Sequence, residues 1–101
     1  MKTDAESIVT DDLKHCYIHK KYLNVEVDAV HIHHMCHGSA NRQLADKHKI
    51  VCGLCERCHS LLHDHNYHDL DLQQDAERAW LKHNSATIED WISVFGKNYL
   101  T

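Results

Sequence analysis

The stretch IVCGLCERCHSLLHDH, residues 50–65, decides the fold because it joins a short apolar run, a cysteine pair and a helix-forming segment. The run IVCGL, residues 50–54, is short and apolar, which predicts a strand. Cys55 and Cys58 follow as a C-x-x-C pair, a spacing typical of zinc-binding knuckles. From residue 56 onward the sequence predicts a helix with its leucines on one side. Strand, knuckle and helix therefore follow one another directly.

The C-x-x-C pair has a counterpart upstream. Cys16 and His19 form a C-x-x-H pair about 35 residues before Cys55. Two such pairs can hold one tetrahedral zinc ion, and with four protein ligands that zinc would be structural. The predicted ligands are Cys16, His19, Cys55 and Cys58. The pair Cys52-x-x-Cys55 has the same spacing and stays an alternative, and the cysteines could also be small apolar core residues.

The composition of the whole chain supports metal binding. The five cysteines are an odd number, which argues against a disulfide framework, and 11 of the 12 histidines lie between His15 and His68. At 101 residues we expect a single domain, residues 1–101, whose small core needs further cross-links. No apolar run is long enough for a membrane helix, and the start is acidic, so we expect a cytoplasmic protein without membrane contacts.

The sequence predicts an α+β fold in three parts. Residues 1–12 are expected to form a loosely packed leader, residues 13–66 a zinc-knuckled core of two strands and a helix, and residues 67–101 a helical cap. The first strand is expected at about 27–34, and residues 35–49 form a long connection with a helical turn at RQLADKH. Apolar residues at helical spacing predict the two cap helices. They are Leu72, Ala76 and Trp80, then Ile88, Trp91, Ile92 and Phe95, with Thr87 and Asp90 as a cap and Gly96 as the stop.

The histidines of HIHHMCHG, residues 31–38, lie where the first predicted strand ends. Adjacent strand residues point to opposite faces, so His33 and His34 can have different functions. His59 and His63 stand at i and i+4 on the predicted helix, where both rings can hold one ion. A solvated helix face with two incidental histidines would have the same spacing. One strand histidine can join them as a ligand while the other acts as general base, and phosphodiester hydrolysis needs both.

The combination of His33-His34 with LCERCHSLLH resembles the HNH nucleases of the ββα-metal, or His-Me finger, group. The text HHMCHGSANR and the ending FGKNYL are similar to small HNH-type proteins of phages and prophages, and the resemblance runs from about Cys16 to Leu100. It implies nicking or cleavage of DNA with one catalytic divalent ion beside a structural zinc. By this resemblance the ligands of the catalytic ion are His33, His59 and His63, and the general base is His34.

One position departs from the HNH pattern. The asparagine that helps to hold the base or the metal in the family falls at Ile50 in this chain. We expect Asn41 or a backbone carbonyl to replace it, or activity to be reduced. Arg42 matches the family text and is expected to contact the scissile phosphate or the DNA backbone, because its guanidinium can engage phosphate oxygens at two points. The residues that could extend this contact are Lys47, Lys49 and Arg57.

The charge distribution bears on DNA binding. A net charge of −4 is not typical of a strong DNA binder, but the acidic residues are concentrated between 64 and 90, and residues 33–60 are mildly basic. We expect weak, salt-sensitive DNA binding, helped by a partner such as another phage DNA-processing protein. An all-histidine site favours Mn²⁺, Ni²⁺, Co²⁺ or Zn²⁺ over Mg²⁺, which prefers oxygen ligands, and Mg²⁺ stays among the candidate catalytic ions.

Two other functions fit the sequence. A zinc-stabilised module that binds DNA or a phage protein without catalysis would explain Ile50, although the predicted site histidines are kept. A metal-storage or purely structural domain would explain the number of histidines. One tightly bound ion per chain would indicate a purely structural domain, and two distinguishable bound ions would indicate a nuclease. The histidines that receive no function are His31, His37, His48, His65 and His68.

Overall fold

The computed structural model describes residues 6–36 and 39–100, and for residues 39–41 it describes the backbone alone. Its elements are β1 (His31–His34), α1 (Ser39–His48), β2 (Val51–Leu54), α2 (Glu56–His65), α3 (Asp69–Asn84) and α4 (Ile88–Phe95), with a π-helical turn at His19–Leu23 before β1. In the described part of the chain, helices combined with a two-stranded antiparallel sheet confirm the predicted α+β class.

β1 and β2 pair antiparallel, and the register fixes which side chains share a face. The pairs are His31 with Leu54, Ile32 with Gly53, His33 with Cys52 and His34 with Val51. Successive side chains of a strand alternate between its faces. His31 and His33 therefore lie on one face of β1, and His34 lies on the other.

β1 is shorter than the strand predicted at 27–34, because the backbone upstream of it pairs elsewhere. The Cys16 amide donates to the Val27 carbonyl over 2.6 Å, and the Ala29 amide donates to the Lys14 carbonyl over 2.8 Å. Residues 27–29 therefore hydrogen-bond to residues 14–16, which precede the π-helical turn. Only the last four residues of the predicted strand pair with β2.

The helical turn predicted at RQLADKH lies within α1, but α1 is longer than predicted and occupies ten of the residues 35–49. The helix has few apolar residues, but Ala45 is buried and α1 packs on β1 and α4. The Ile50 amide donates to the Ala45 carbonyl over 2.9 Å, and β2 starts at the residue after Ile50, one later than predicted. The helix forms although its apolar pattern is weak, because tertiary packing stabilises it.

α2 begins where the sequence predicts, directly after Cys55. The Cys55 sulfur accepts a hydrogen bond from the Cys58 amide over 3.5 Å and so caps the helix. Asn66 ends the helix with φ of 56°, a left-handed conformation that asparagine tolerates. α2 packs on both strands, which brings its histidines beside β1.

α3 and α4 form the predicted helical cap. Their buried residues include Leu72, Ala76, Trp80, Trp91 and Phe95. Thr87 and Asp90 form the predicted capping box, and Gly96 ends α4 with φ of 88°. Ile92 departs from the predicted apolar stripe, since 41% of it is exposed. Within residues 6–36 and 39–100, no helix is both long and apolar enough to cross a membrane.

Asp75 joins α3 to the π-helical turn. Its carboxylate accepts hydrogen bonds from the Tyr17 hydroxyl, over 2.8 Å, and from the Lys21 ammonium. The Arg78 guanidinium also donates to it, over 3.3 Å. Only 12% of the Asp75 side chain is exposed, so water screens these interactions less than it would at the surface.

The leader is attached to the core from residue 6 onward. The Ser7 hydroxyl donates to the Val51 carbonyl over 2.5 Å, and the Ile8 amide donates to the Lys49 carbonyl over 3.0 Å. Ile8 and Val9 also pack against the buried core. The prediction of loose packing is therefore wrong for residues 6–12, and residues 1–5 lie outside the described part.

Candidate metal centres

The four predicted zinc ligands come together in the structure. Cys16, His19, Cys55 and Cys58 each offer one ligand atom, and these atoms all lie within 4.8 Å of one another. His19 Nδ1 lies 3.6 Å from Cys55 Sγ and 3.4 Å from Cys58 Sγ. Ligands on a tetrahedral zinc, with bonds of about 2.3 Å to sulfur and about 2.0 Å to nitrogen, stand roughly 3.6 Å apart. These residues, here called the Cys/His site, therefore fit a structural zinc ion.

Two backbone features present the Cys/His site ligands to one point. The first pair lies at the entry to the π-helical turn, with Cys16 before the turn and His19 in it. It is held by a bond from the Lys20 amide to the Cys16 carbonyl (3.0 Å) and by one from the Val25 amide to the His19 carbonyl (3.2 Å). The second pair lies at the start of α2, where Cys55 is the N-cap. Each C-x-x-[CH] spacing therefore folds into a tight turn that directs both side chains the same way.

The two α2 thiols of the Cys/His site differ in acidity. Burial acts to raise the pKa of Cys55, but hydrogen bonds from Cys58 and Cys16 outweigh it, so this pKa lies below its ordinary value. Burial raises the pKa of Cys58, and its hydrogen bonds to Cys55 and Cys16 raise it further. Cys55 lies at the N-terminus of α2, where the helix dipole favours negative charge and therefore the thiolate that zinc binds.

The remaining cysteines are core residues. Cys52, the alternative zinc ligand, is fully buried in β2 and lies outside the Cys/His site. Burial raises the pKa of its thiol, and the nearby Cys16 and Asp75 raise it further. Burial also raises the pKa of Cys36 to about 12. Both side chains therefore pack in the core, outside the group of residues that could hold zinc. All five cysteines are free of disulfides, in agreement with their odd number.

Three predicted site histidines form a second set of ligands, here called the three-histidine cluster. His33 from β1 and His59 and His63 from α2 offer ring nitrogens within 4.8 Å of one another. The Nε2 atoms of His59 and His63 are 3.1 Å apart. Two nitrogens bound to one ion at about 2.1 Å stand roughly 3.0 to 3.4 Å apart. The i, i+4 spacing therefore gives the separation that one ion requires.

The three-histidine cluster is partly exposed, and its surroundings favour a neutral His59 ring. His33 is buried, His59 is half-buried and His63 is exposed, so the cluster opens to solvent on the His63 side. Burial lowers the pKa of His59, and the neighbouring His31 and His63 lower it further. A neutral imidazole keeps the lone pair that a metal ion binds.

His34 has different surroundings from the cluster next to it. It points to the face of β1 opposite His33, and its Nε2 lies 3.6 Å from Asp46 Oδ1 of α1. About a fifth of its side chain is exposed, at 21%. Adjacent histidines therefore contact different helices, His33 facing α2 and His34 facing α1.

Arg42 lies in α1, at the first residue of the predicted helical turn RQLADKH. Its side chain is exposed, as are those of Lys47 and Arg57, and all three are accessible to a phosphate. Lys49 is different, because its ammonium donates to the Glu6 carboxylate over 2.7 Å. This ion pair would have to open before Lys49 could contact DNA.

The residue at the asparagine position of the HNH pattern belongs to the core. Ile50 is fully buried, and its carbonyl accepts a hydrogen bond from the Met35 amide over 3.1 Å. The backbone of Asn41, the predicted replacement, belongs to α1, but its side chain lies outside the described part of the chain. His37 lies outside it as well.

Three histidines without a predicted function make specific contacts, and one of them is His68, whose Nδ1 lies 2.8 Å from Asp71 Oδ2. The His31 ring stacks on His59, with centroids 4.2 Å apart and planes 18° from parallel. His48 Nδ1 accepts a hydrogen bond from Trp80 Nε1 over 3.3 Å, so His48 belongs to the aromatic core under the cap. His31 lies two residues before His33 on the same strand face. This spacing was the feature of the sequence that could have predicted the contact of His31 with His59.

A third group of metal-ligating residues was not predicted, because its members are spread over a turn and a loop. Asp12, His15 and Glu26 offer ligand atoms within 4.8 Å of one another. The Lys20 ammonium already donates to Asp12 over 2.8 Å, so a cation stands at this carboxylate. The group is thereby explained as a surface ion-pair network.

The described residues thus provide a Cys/His site and a three-histidine cluster, both built partly on α2. Comparisons of the chain with protein-family models, curated proteins and solved structures found no match. Function must therefore be inferred from these two sets of ligands and from the residues around them.

Proposed function

We propose that the protein is a metal-dependent DNA endonuclease, with His34 as general base and one divalent ion on the three-histidine cluster. The observation that carries the proposal is the 3.1 Å separation of the His59 and His63 Nε2 atoms beside a buried strand histidine. His34 follows that histidine directly on β1. Phosphodiester hydrolysis requires a cation site and a base, and the three-histidine cluster and His34, on the two faces of β1, are our candidates for these roles.

In this proposal His34 removes a proton from the water that attacks the phosphorus. The Asp46 carboxylate, 3.6 Å from Nε2, favours the tautomer with its proton on that nitrogen. Nδ1 then keeps its lone pair and can accept a proton from water. The resulting hydroxide attacks opposite the 3′ oxygen, which leaves.

The three-histidine cluster fits a transition-metal ion by its donor type and its spacing. When bound there, a divalent ion supplies positive charge that stabilises the phosphate and the leaving oxygen. His63 is exposed, so a phosphate can approach the cluster from that side. Imidazole nitrogens favour Mn²⁺, Ni²⁺, Co²⁺ or Zn²⁺ over Mg²⁺. The separate Cys/His site would keep a structural zinc.

DNA would be held weakly. The exposed basic side chains Arg42, Lys47 and Arg57 are few, and the chain has a net charge of −4. Binding that depends on a few phosphate contacts falls steeply as salt concentration rises. Assays therefore belong at low ionic strength.

Nicking of supercoiled plasmid tests the proposal. Wild type, His34→Ala and His65→Ala are stripped of loosely held metal and then given Mn²⁺, Ni²⁺, Co²⁺, Zn²⁺ or Mg²⁺. His65 is the matched control, because it is an exposed histidine of α2 outside the cluster. Loss of a general base should lower the nicking rate by about 10² or more in His34→Ala alone, with zinc content and circular dichroism unchanged. Equal nicking by His34→Ala, or none by wild type with any ion, would contradict the proposal.

A second candidate function is a zinc-stabilised module that binds DNA or protein without catalysis. The buried Ile50 favours it, because a core side chain at that position cannot orient the base or the metal. Gel retardation of DNA by the wild type, without nicking under any ion and unchanged in His34→Ala, would support this candidate.

A further inference from the structure

His31 makes two contacts that together fix its ring. It stacks on His59 with ring centroids 4.2 Å apart and planes at 18°. Its Nε2 lies 2.9 Å from Glu56 Oε2. A carboxylate can only accept, so His31 donates through Nε2–H. The ring is therefore held by its strand at one end and by the first turn of α2 at the other.

The stacking fixes the orientation of the His59 ring. His31 covers one face of that ring, while the edge of the ring meets His63, with centroids 4.5 Å apart and planes at 78°. His33 also meets it edge-on, at 5.9 Å and 77°. One face of the His59 ring is therefore covered, and its edges are directed at the other two histidines. As a result, His59 Nε2 points toward the centre of the cluster.

We propose that His31 is a positioning residue for the three-histidine cluster, acting through its stack on His59 and its hydrogen bond to Glu56. The inference rests on the proposed metal site and identifies what prepares that site for its ion. His31 is not a ligand in this account. Its Nε2 is engaged by Glu56, and the ligand set found among the described residues is His33, His59 and His63.

Calorimetric titration with Ni²⁺ tests this inference, using protein whose Cys/His site is loaded with zinc. The variants are His31→Ala, which loses ring and hydrogen bond, and His31→Phe, which keeps a ring for stacking. His65→Ala is the matched control on α2. Loss of an outer residue that orients a ligand typically lowers metal affinity by about 10-fold or more, which we expect for His31→Ala. His31→Phe should recover most of that loss, and Glu56→Gln should give a smaller one.

The outcomes separate the inference from the proposed function. If the wild type binds no second ion, both fail. If it binds Ni²⁺ and His31→Ala binds equally tightly, only the inference fails. If His31→Phe loses as much affinity as His31→Ala while Glu56→Gln loses none, His31 is a ligand and the positioning role is overturned. Zinc content and circular dichroism of each variant show that the fold is kept.

Discussion

Glu77 of α3 carries a carboxyl group where water cannot reach it. The residue is fully buried, and its Oε1 accepts the Tyr99 amide over 2.7 Å, whereas Oε2 has no hydrogen-bond partner within the described residues. Burial raises the pKa of Glu77, and the Tyr99 hydrogen bond and Arg78 only partly oppose it. The ionised form is therefore less favourable in the folded chain than in the unfolded one.

Glu77→Gln should change how stability depends on pH. The folded pKa of Glu77 lies above its ordinary value of 4.5. The neutral carboxyl therefore contributes its full stability to the fold below pH 4.5, and this stability is lost as pH rises through the folded pKa. The glutamine variant should gain stability relative to wild type between pH 5 and pH 8. Chemical denaturation of both proteins measures the difference, from which the shared titration of the zinc ligands cancels. A difference that stays constant with pH would contradict the prediction.

Residue roles could be predicted where spacing along one element determines them. The two cysteine-containing pairs and the i, i+4 histidines needed only the geometry of a tight turn and of a helix. The partners Glu56 of His31 and Asp46 of His34 could not be predicted, because each lies on another element whose packing the sequence does not reveal.

At the scale of elements, predictability followed the strength of the apolar pattern. α4 has aromatic residues at helical spacing and a capping box, and both were read correctly. Only a helical turn of α1 was predicted, because Leu44 and Ala45 are its only large or buried apolar residues in the described part, and neighbouring elements hold the helix. The strand predicted for β1 was too long, because β-branched residues indicate extended backbone but do not show which segment that backbone pairs with.

β2 depends on a glycine at its centre. A Cβ at Gly53 would lie 2.6 Å from the Leu13 carbonyl oxygen and 2.8 Å from the Ala29 Cβ. Gly53→Ala should therefore destabilise the protein by about 1–3 kcal/mol, the usual range for overpacking. Denaturant unfolding of zinc-loaded protein measures the loss. Ala29→Gly in the same background removes one of the two clashes and should recover part of it, and a full additive loss in the double variant would argue against this cause.

For the molecule as a whole, the Cys/His site links two distant segments. The Cys55 sulfur and the His19 ring that face each other are 36 residues apart in sequence. A structural zinc contributes on the order of 10 kcal/mol or more of binding free energy, and small domains have about 5–15 kcal/mol of net stability. The fold should therefore depend on this ion.

Zinc removal tests this dependence. A strong chelator should abolish the cooperative thermal transition and much of the helical circular dichroism, and added Zn²⁺ should restore both. Cys58→Ser should behave like the chelated protein. His63→Ala, which removes a ligand of the three-histidine cluster only, should keep the transition. Cooperative unfolding that survives complete zinc removal would show that the apolar core is sufficient alone.

The hydrogen bonds of Asp75 limit how this protein could be rebuilt as a chimera. A graft of residues 13–66 onto another scaffold would discard the helical cap. Asp75, in that cap, binds Lys21 on the turn that carries His19 and Tyr17 just before that turn. A graft without α3 would remove these side-chain anchors of the metal-binding turn, so the shortest transplantable unit extends at least through α3.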